Sequence, residues 1–269
     1  MHVINTRDNA HDDGLLTEAA ARLKDSAKTV ALTGAGISVG SGIPDFRSAG
    51  GLWSVYSPDE YATIDVFLAN PEKAWELYRA LGNTLLGKQS NPAHRALAEL
   101  ETAGLLSGIV TQNIDNLHQQ AGSDVVLEIH GDHQHLQCLQ CHHLETVEPA
   151  HYDDGAVPRC PACGACLKPN IVLFGEAVRS LGEIEELISG CEVLLVIGTS
   201  AQVYPAAGLP AAVKQRGGTV FEFNREQALG RGGYGGIGGI SAITDWFFEG
   251  DVVETLPMLL DALSAERGG

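Results

Sequence analysis

A short β-branched and apolar run, Thr29-Val30-Ala31-Leu32, feeds directly into the turn Thr33-Gly34-Ala35-Gly36. A strand ending in such a turn reads as the first β-turn-α unit of a nucleotide-binding parallel sheet. Small residues at Gly34, Ala35 and Gly36 let backbone N–H groups approach a pyrophosphate. The spacing is G-x-G-x-x-x-G, closed by Gly40, and no acidic residue sits about 20 positions on to hold a ribose. Taken alone, the glycines describe a tight turn equally well. The continuation, Ser41-Gly42-Ile43-Pro44-Asp45-Phe46-Arg47, sets an acid, an aromatic and an arginine beside that turn. Arg47 suits a phosphate, and Phe46 suits the face of a ring.

Five further segments have the same short apolar character, with helical patterns between them. Strands are expected at 29–32, 106–110, 125–129, 171–174, 193–197 and 219–223. Helices are expected at 72–86, 93–103, 181–189, 206–216 and 252–263. Strands that are apolar throughout are those buried on both faces, and strand-helix alternation predicts a doubly wound parallel, Rossmann-like α/β sheet. Pro71 and Pro92 are placed to start helices. Two stretches break the alternation: 54–89 is helical without a strand, and 131–169 carries the cysteines. The expected division is a tail and first helix (1–27), a discontinuous nucleotide-binding domain (28–53, 90–130 and 170–264), and a small lobe of a helical module (54–89) with a metal ribbon (131–169). The run Gly230–Gly239 has no strand before it and reads as a flexible loop.

Charge limits the partners. Thirty-four acids against 17 bases give a formal net charge of −17. That argues against nonspecific nucleic-acid or anionic-membrane binding and is compatible with basic, lysine-rich partners or with solubility alone. Residues 1–27 lack an apolar signal core, and no run has the length of a membrane span, so a cytoplasmic protein with a frayed N-terminal tail is expected. In that compartment six cysteines indicate metal or free thiols rather than disulfides.

The cysteines are spaced for zinc. Cys138-x-x-Cys141 and Cys160-x-x-Cys163 are two knuckles of the kind that bind it, and four thiolates leave no open position, so the ion is structural. Cys166 offers a competing pair with Cys163. His133, His135, His142 and His143 lie close enough to be ligands in principle. Cys191 reads as core.

Polar residues collect where the expected strands end. Thr111-Gln112-Asn113-Ile114-Asp115 follows the strand ending at Val110, and ligands in such sheets bind beyond the carboxyl ends of strands. Helix capping by Asn113 or Asp115 explains one polar group but not three. Glu128-Ile129-His130-Gly131 closes the next strand, and an imidazole at that edge has a pKa suited to a general base. Gly198-Thr199-Ser200 and Asn224 end two later strands.

These strings, in this order from about Lys28 to Leu260, resemble the sirtuins, the NAD-dependent protein deacylases. The resemblance implies that the acyl oxygen of a modified lysine attacks the ribose carbon bearing nicotinamide. His130 then draws a proton from a ribose hydroxyl, and the products are lysine, nicotinamide and O-acyl-ADP-ribose. It implies catalytic roles for His130, Asn113 and Asp115. It implies NAD contacts from Gly34, Ala35, Gly36, Ser38, Ile43, Pro44, Asp45, Phe46, Arg47, Trp53, Gln112, Asn113, Ile114, Asp115, Gly198, Thr199, Ser200, Asn224, Arg225 and Val252. It gives the zinc ligands as Cys138, Cys141, Cys160 and Cys163, with Cys166 spare. The segment Val172, Phe174, Gly175 and Glu176 is expected to pair with an acyl-lysine peptide by β-augmentation. Sirtuins that prefer acidic acyl groups carry Tyr-x-x-Arg on a small-lobe helix. Here Tyr78 is followed three residues on by Leu81, which implies acetyl over succinyl. Mono-ADP-ribosyl transfer, a deacylase for longer uncharged acyl groups, and a non-catalytic NAD sensor or zinc scaffold are the alternatives.

Overall fold

The computed structural model describes residues 1–5, 13–45, 51–153, 155–229 and 243–265. Phe46, Arg47 and the run Gly230–Gly239 lie outside them. In chain order the elements are β1 (His2–Asn5), α1 (Asp13–Lys24), β2 (Thr29–Thr33), α2 (Pro58–Tyr61), α3 (Ile64–Ala69), α4 (Pro71–Leu85), α5 (Pro92–Thr102), β3 (Ile109–Thr111), α6 (Leu117–Ala121) and β4 (Val126–Glu128). There follow β5 (Gly131–Gln137), β6 (Leu144–Thr146), β7 (Lys168–Ile171), α7 (Leu181–Ile188), β8 (Val193–Ile197), α8 (Leu209–Gln215), β9 (Thr219–Asn224), β10 (Trp246–Glu249) and α9 (Val252–Ala265). Single 3-10 turns at Ala35–Ser41, Leu52–Ser54, Pro149–Tyr152 and Ala206–Gly208 complete the set.

Seven strands form one parallel sheet in the order β1-β10-β9-β8-β2-β3-β4. Side chains alternate across it, as the two-residue strand period requires. Ala31, Ile109, Leu195, Phe221 and Phe248 pack with α1, α5 and α9 on one face. Val30, Leu32, Val110, Leu194 and Val220 pack with α7 and α8 on the other. The chain winds outward in both directions from β2 and β8, which makes the gap between those two strands the topological switch point, the place where such sheets bind ligands.

A three-stranded antiparallel sheet, β6-β5-β7, carries the cysteines and shares a second core with α2, α3 and α4. Trp75 on α4 donates its indole N–H to the Leu167 carbonyl at 2.8 Å. Gly82 admits the Tyr152 ring where a Cβ would stand 2.4 Å from it. The apolar stripe of α4 thus grips the cysteine-bearing segment rather than the parallel sheet.

Three elements differ from expectation. Residues 2–5 are not a frayed tail but edge strand β1, paired with β10 from His2↔Trp246 to Asn5↔Glu249, and His2 stacks on Trp246 at 4.2 Å. Strand β10 itself, Trp-Phe-Phe-Glu, was hidden because no turn signal separates it from the glycine run. The strand expected at 171–174 does not join the parallel sheet. Lys168–Ile171 pairs antiparallel with β5, and Phe174 makes an isolated bridge to Thr63. Gly131, with φ +79°, redirects the chain there, and a Cβ on it would meet the Asn170 carbonyl oxygen at 2.1 Å. Among the described residues no helix is long and apolar enough to cross a membrane.

Candidate active site

Parallel register brings the ends of β2, β3, β4, β8 and β9 to one edge of the sheet. The turn after β2 and the turn after β8 interlock at the switch point. Gly34 N–H donates to the Ile197 carbonyl at 3.0 Å and Gly36 N–H to the Gly198 carbonyl at 2.8 Å. A Cβ on Gly36 would sit 2.6 Å from Gly198 Cα. Glycine is needed here because two backbones touch, and these two N–H groups are spent within the protein rather than aimed at a ligand. Asn91 secures the turn from the side. Its Oδ1 caps α5, and its Nδ2 donates to the Ile37 carbonyl at 2.7 Å and to Ser41 Oγ at 3.0 Å.

Behind β3, three buried polar residues form a closed set. Ser38 Oγ donates to Asp115 Oδ2 at 2.6 Å. Asn113 Nδ2 donates to the Gly34 carbonyl at 3.1 Å and to Ser38 Oγ at 3.2 Å. Asp115 Oδ1 accepts the Leu117 N–H at 3.1 Å, so one oxygen caps the start of α6 while the other faces the turn. A cavity opens beside this set, with Ser38, Asn113 and Asp115 on its polar wall and Ile43, Leu81 and Leu85 on its apolar wall.

Gln112 donates to Thr199 Oγ1 at 2.9 Å, tying the β3 turn to the β8 turn. Its carbonyl accepts from His130 Nδ1 at 2.9 Å. A carbonyl only accepts, so Nδ1 carries the proton and Nε2 is left with its lone pair. Burial lowers the His130 pKa below the ordinary value, while the Gln112 carbonyl opposes that shift. The imidazole is thus neutral at neutral pH, with a basic nitrogen at the sheet edge.

On the far side, Asn224 Nδ2 donates to the Thr199 carbonyl at 3.1 Å and approaches Glu222 Oε1 at 3.4 Å. Arg225 pairs with Asp251 at 2.7 Å in solvent. Val252 is buried in the core at the start of α9, and Trp53 packs against the small-lobe core. Ser200 is exposed beyond Thr199.

The structure adds residues that the sequence did not single out. His94 and His118 lie edge to face, 4.9 Å apart, beneath the site. His118 Nε2 donates to Thr33 Oγ1 at 2.9 Å, whose own proton goes to Thr111. Burial pushes the two imidazoles down to about 4 and about 3. Nothing local in the sequence marks these roles, because each depends on a contact across more than 20 residues.

The segment 172–176, expected to meet a peptide, is mostly bonded internally. Val172 N–H donates to the His130 carbonyl at 2.8 Å, and the N–H and C=O of Phe174 are taken by Ala62 and Ile64, each at 3.0 Å. The Phe174 ring is 46% exposed, so it is the side chain rather than the main chain of Phe174 that faces outward. The Glu176 carboxylate is turned inward, against Lys168 Nζ at 3.0 Å. Tyr78 is 1% exposed, its ring set edge-on to Trp75, its hydroxyl without a hydrogen-bond partner. Its pKa is raised by burial and then by Glu176. It stands in the core rather than on an open substrate surface.

The four thiols of Cys138, Cys141, Cys160 and Cys163 have sulfur atoms all within 4.8 Å of one another, with Cys138–Cys163 and Cys141–Cys160 at 3.5 Å. Tetrahedral zinc with bonds of about 2.3 Å sets its sulfurs about 3.8 Å apart, so the set fits that ion. Among the described residues this is the one such cluster. His133 and His135 are spent on the Ile114 carbonyl and on Asp132. Cys166 lies outside it.

The model of the Sir2 family matches residues 34–205. An NAD-dependent protein deacylase of Pyrococcus abyssi is 39% identical over 252 residues, 91% of this chain and 97% of that protein. An NAD-dependent protein deacetylase of Caldivirga maquilingensis is 44% identical over 212 residues, 78% of this chain and 82% of that protein. A solved complex of a Sir2 protein with a p53 peptide and NAD+ superposes with a TM-score of 0.79 at 36% identity, covering 93% of this chain and 98% of its own. Motif order, sheet-edge geometry, thiol cluster and these likenesses agree that the chain belongs to the Sir2 family.

Proposed function

We propose that the sheet edge between β2 and β8, with the cavity under Leu81, removes an acyl group from a protein lysine at the expense of NAD. The protein is an NAD-dependent protein lysine deacetylase, and the four thiolates hold a structural zinc ion. NAD supplies the ribose carbon that accepts the acyl oxygen when nicotinamide departs. Everything else falls to the chain. Ser38, Asn113 and Asp115 orient the nicotinamide and its ribose from the polar wall of the cavity. Gln112 and Thr199 hold the ribose side, and Asn224 the adenosine side. The fit is supported by the buried, mutually bonded polar set at the switch point, where a purely structural sheet has no use for it.

His130 Nε2 takes the proton of a ribose hydroxyl. The observation that carries the reading is the Nδ1 bond to the Gln112 carbonyl, which selects this tautomer and joins the base to the residue beside the ribose. The Val172 N–H donates to the carbonyl of the same histidine, which ties the base to the peptide segment. The peptide meets the protein at the exposed Phe174 ring and at the Gly175 turn. The acidic net charge favours a lysine-rich partner over nucleic acid or anionic membrane, and a thiolate zinc site is suited to the reducing cytoplasm.

Incubation with NAD and an acetyl-lysine peptide, with product masses recorded, tests this. Free lysine peptide, nicotinamide and O-acetyl-ADP-ribose in equal amounts are expected. ADP-ribose attached to a protein side chain, with the acetyl group still on lysine, refutes it.

A further inference from the structure

Lys168 is fully buried, although it is a lysine at the end of the zinc-bearing segment. Its Nζ meets one carboxylate, Glu176 Oε2, at 3.0 Å, and donates to the Ile171 and Pro169 carbonyls of its own strand. Turned to satisfy both of its ends, the Gln137 amide adds its oxygen at 2.9 Å. The same Glu176 oxygen accepts the Leu173 N–H at 2.8 Å, and Glu176 N–H returns to the Leu173 carbonyl at 3.0 Å. The four residues Leu173-Phe174-Gly175-Glu176 are therefore closed by two reciprocal bonds, with Gly175 at φ +93° supplying the left-handed corner.

That turn joins three parts of the molecule. Lys168 belongs to β7 of the zinc-bearing sheet, Ala62 and Ile64 come from the helical module, and Val172 is bonded to His130. A buried cation is expensive unless it is paired, and it is paired here with a group that also sets the backbone of the turn. Solvation of an ordinary surface lysine would leave the turn free to open.

We infer that Lys168 and Glu176 form a latch that positions the Phe174–Gly175 turn for the acyl-lysine peptide. Glu176 is on this view a positioning residue and not a substrate contact. The inference rests on the deacetylase reading and concerns only its peptide side. Zinc-sheet geometry reaches the substrate through this pair, while the NAD edge of the parallel sheet is held independently by the interlocked β2 and β8 turns.

The test measures KM for an acetyl-lysine peptide, KM for NAD, kcat and zinc content in wild type, Lys168→Met, Glu176→Gln and the double variant. Each single variant is expected to raise peptide KM roughly tenfold, the effect of losing about one charge-assisted hydrogen bond. NAD KM should stay within about twofold, one zinc should remain, and the double variant should be no worse than the worse single one, since the pair acts as a unit. If the single variants do not fold, the double variant decides alone, because it leaves no buried charge unpaired. Unchanged peptide KM, additive losses, or peptide and NAD constants rising together would overturn the latch. Absence of wild-type turnover refutes the deacetylase reading itself, whereas normal wild-type turnover with unchanged variants refutes only the latch.

Discussion

In the parallel sheet, Val30, Leu32, Val110, Leu194 and Val220 are buried on one face while Ala31, Ile109, Leu195 and Phe221 are buried on the other. In the antiparallel sheet, Leu136 is buried but Leu144 is 56% exposed, and the strands are joined to four thiols and a buried lysine. The first region positions functional groups by strand register alone: once β2, β3, β4, β8 and β9 are parallel, Gly34, Gln112, His130, Gly198 and Asn224 must share an edge. The second adds to its own apolar core a cluster of four thiols and the Lys168–Glu176 ion pair. On the proposed function, the NAD side and the peptide side of one site are stabilised by different physics, and so should fail under different insults.

Metal removal should separate them most sharply. A structural zinc contributes about 10–16 kcal/mol of apparent binding energy in small modules. Chelation, or Cys141→Ser, is expected to abolish deacetylation and loosen β5, β6 and β7, while hydrogen exchange in β2, β8 and β9 stays slow. A zinc-free protein with wild-type activity would remove the distinction drawn between the two regions.

His130 lies on the seam between the two regions, at the end of β4 and just before β5. His130→Ala should lower turnover by roughly 10²- to 10⁴-fold with NAD affinity retained, because the glycine turns do not depend on the imidazole. The pH profile follows from the same geometry. Burial holds the base neutral, so activity should fall with acid only below the ordinary histidine range near 6.5, as the lone pair on Nε2 is lost. An acid limb above that value, or near-normal turnover of the alanine variant, contradicts the assignment.

The contrast also explains what could be read from the sequence. Strands β2, β8 and β9 are apolar runs of the right length, and their expected limits lie within one residue of those observed. A zinc site is legible from the two C-x-x-C knuckles, but spacing alone leaves Cys166 competing for a place, and the family resemblance selects Cys138, Cys141, Cys160 and Cys163, the four thiols that cluster here. The segment after Asn170 was misplaced for a reason that is three-dimensional. Its apolar pattern suits a strand in either sheet, and the choice was made by Gly131, whose positive φ brings the Asn170 carbonyl to where a Cβ would be. The ion pair of Glu176 with Lys168 has no local signal, because in sequence Lys168 looks like any surface lysine. Asn113 and Asp115 are legible from strand-end position and Ser38 only from the family resemblance, but their bonding to one another spans 75 residues or more and has no local signal.

The finest test concerns the cavity where the two regions meet, whose polar wall belongs to the sheet and whose apolar wall belongs to α4. Leu81 and Leu85 face Asn113 and Asp115 across it. Arg79, the one cation of this stretch of α4, points elsewhere: it donates to the Asp153 carbonyl at 3.1 Å and to the Gly155 carbonyl, and it lies over the Trp75 ring. Lys73, the other cation of α4, pairs with Glu60 at 3.5 Å, so neither meets an acyl group entering beside Leu81. A charge-assisted hydrogen bond contributes about 1.5–3 kcal/mol, so an acidic acyl chain forgoes roughly 10- to 150-fold in specificity relative to a site that supplies one. Acetyl should accordingly be removed well ahead of succinyl from one peptide sequence, and Leu81→Arg should raise succinyl kcat/KM while lowering acetyl kcat/KM. Equal kcat/KM for the two acyl groups in the unmodified protein would show that the apolar wall does not set the choice, and with it that the sheet side of the cavity governs both cofactor and acyl group.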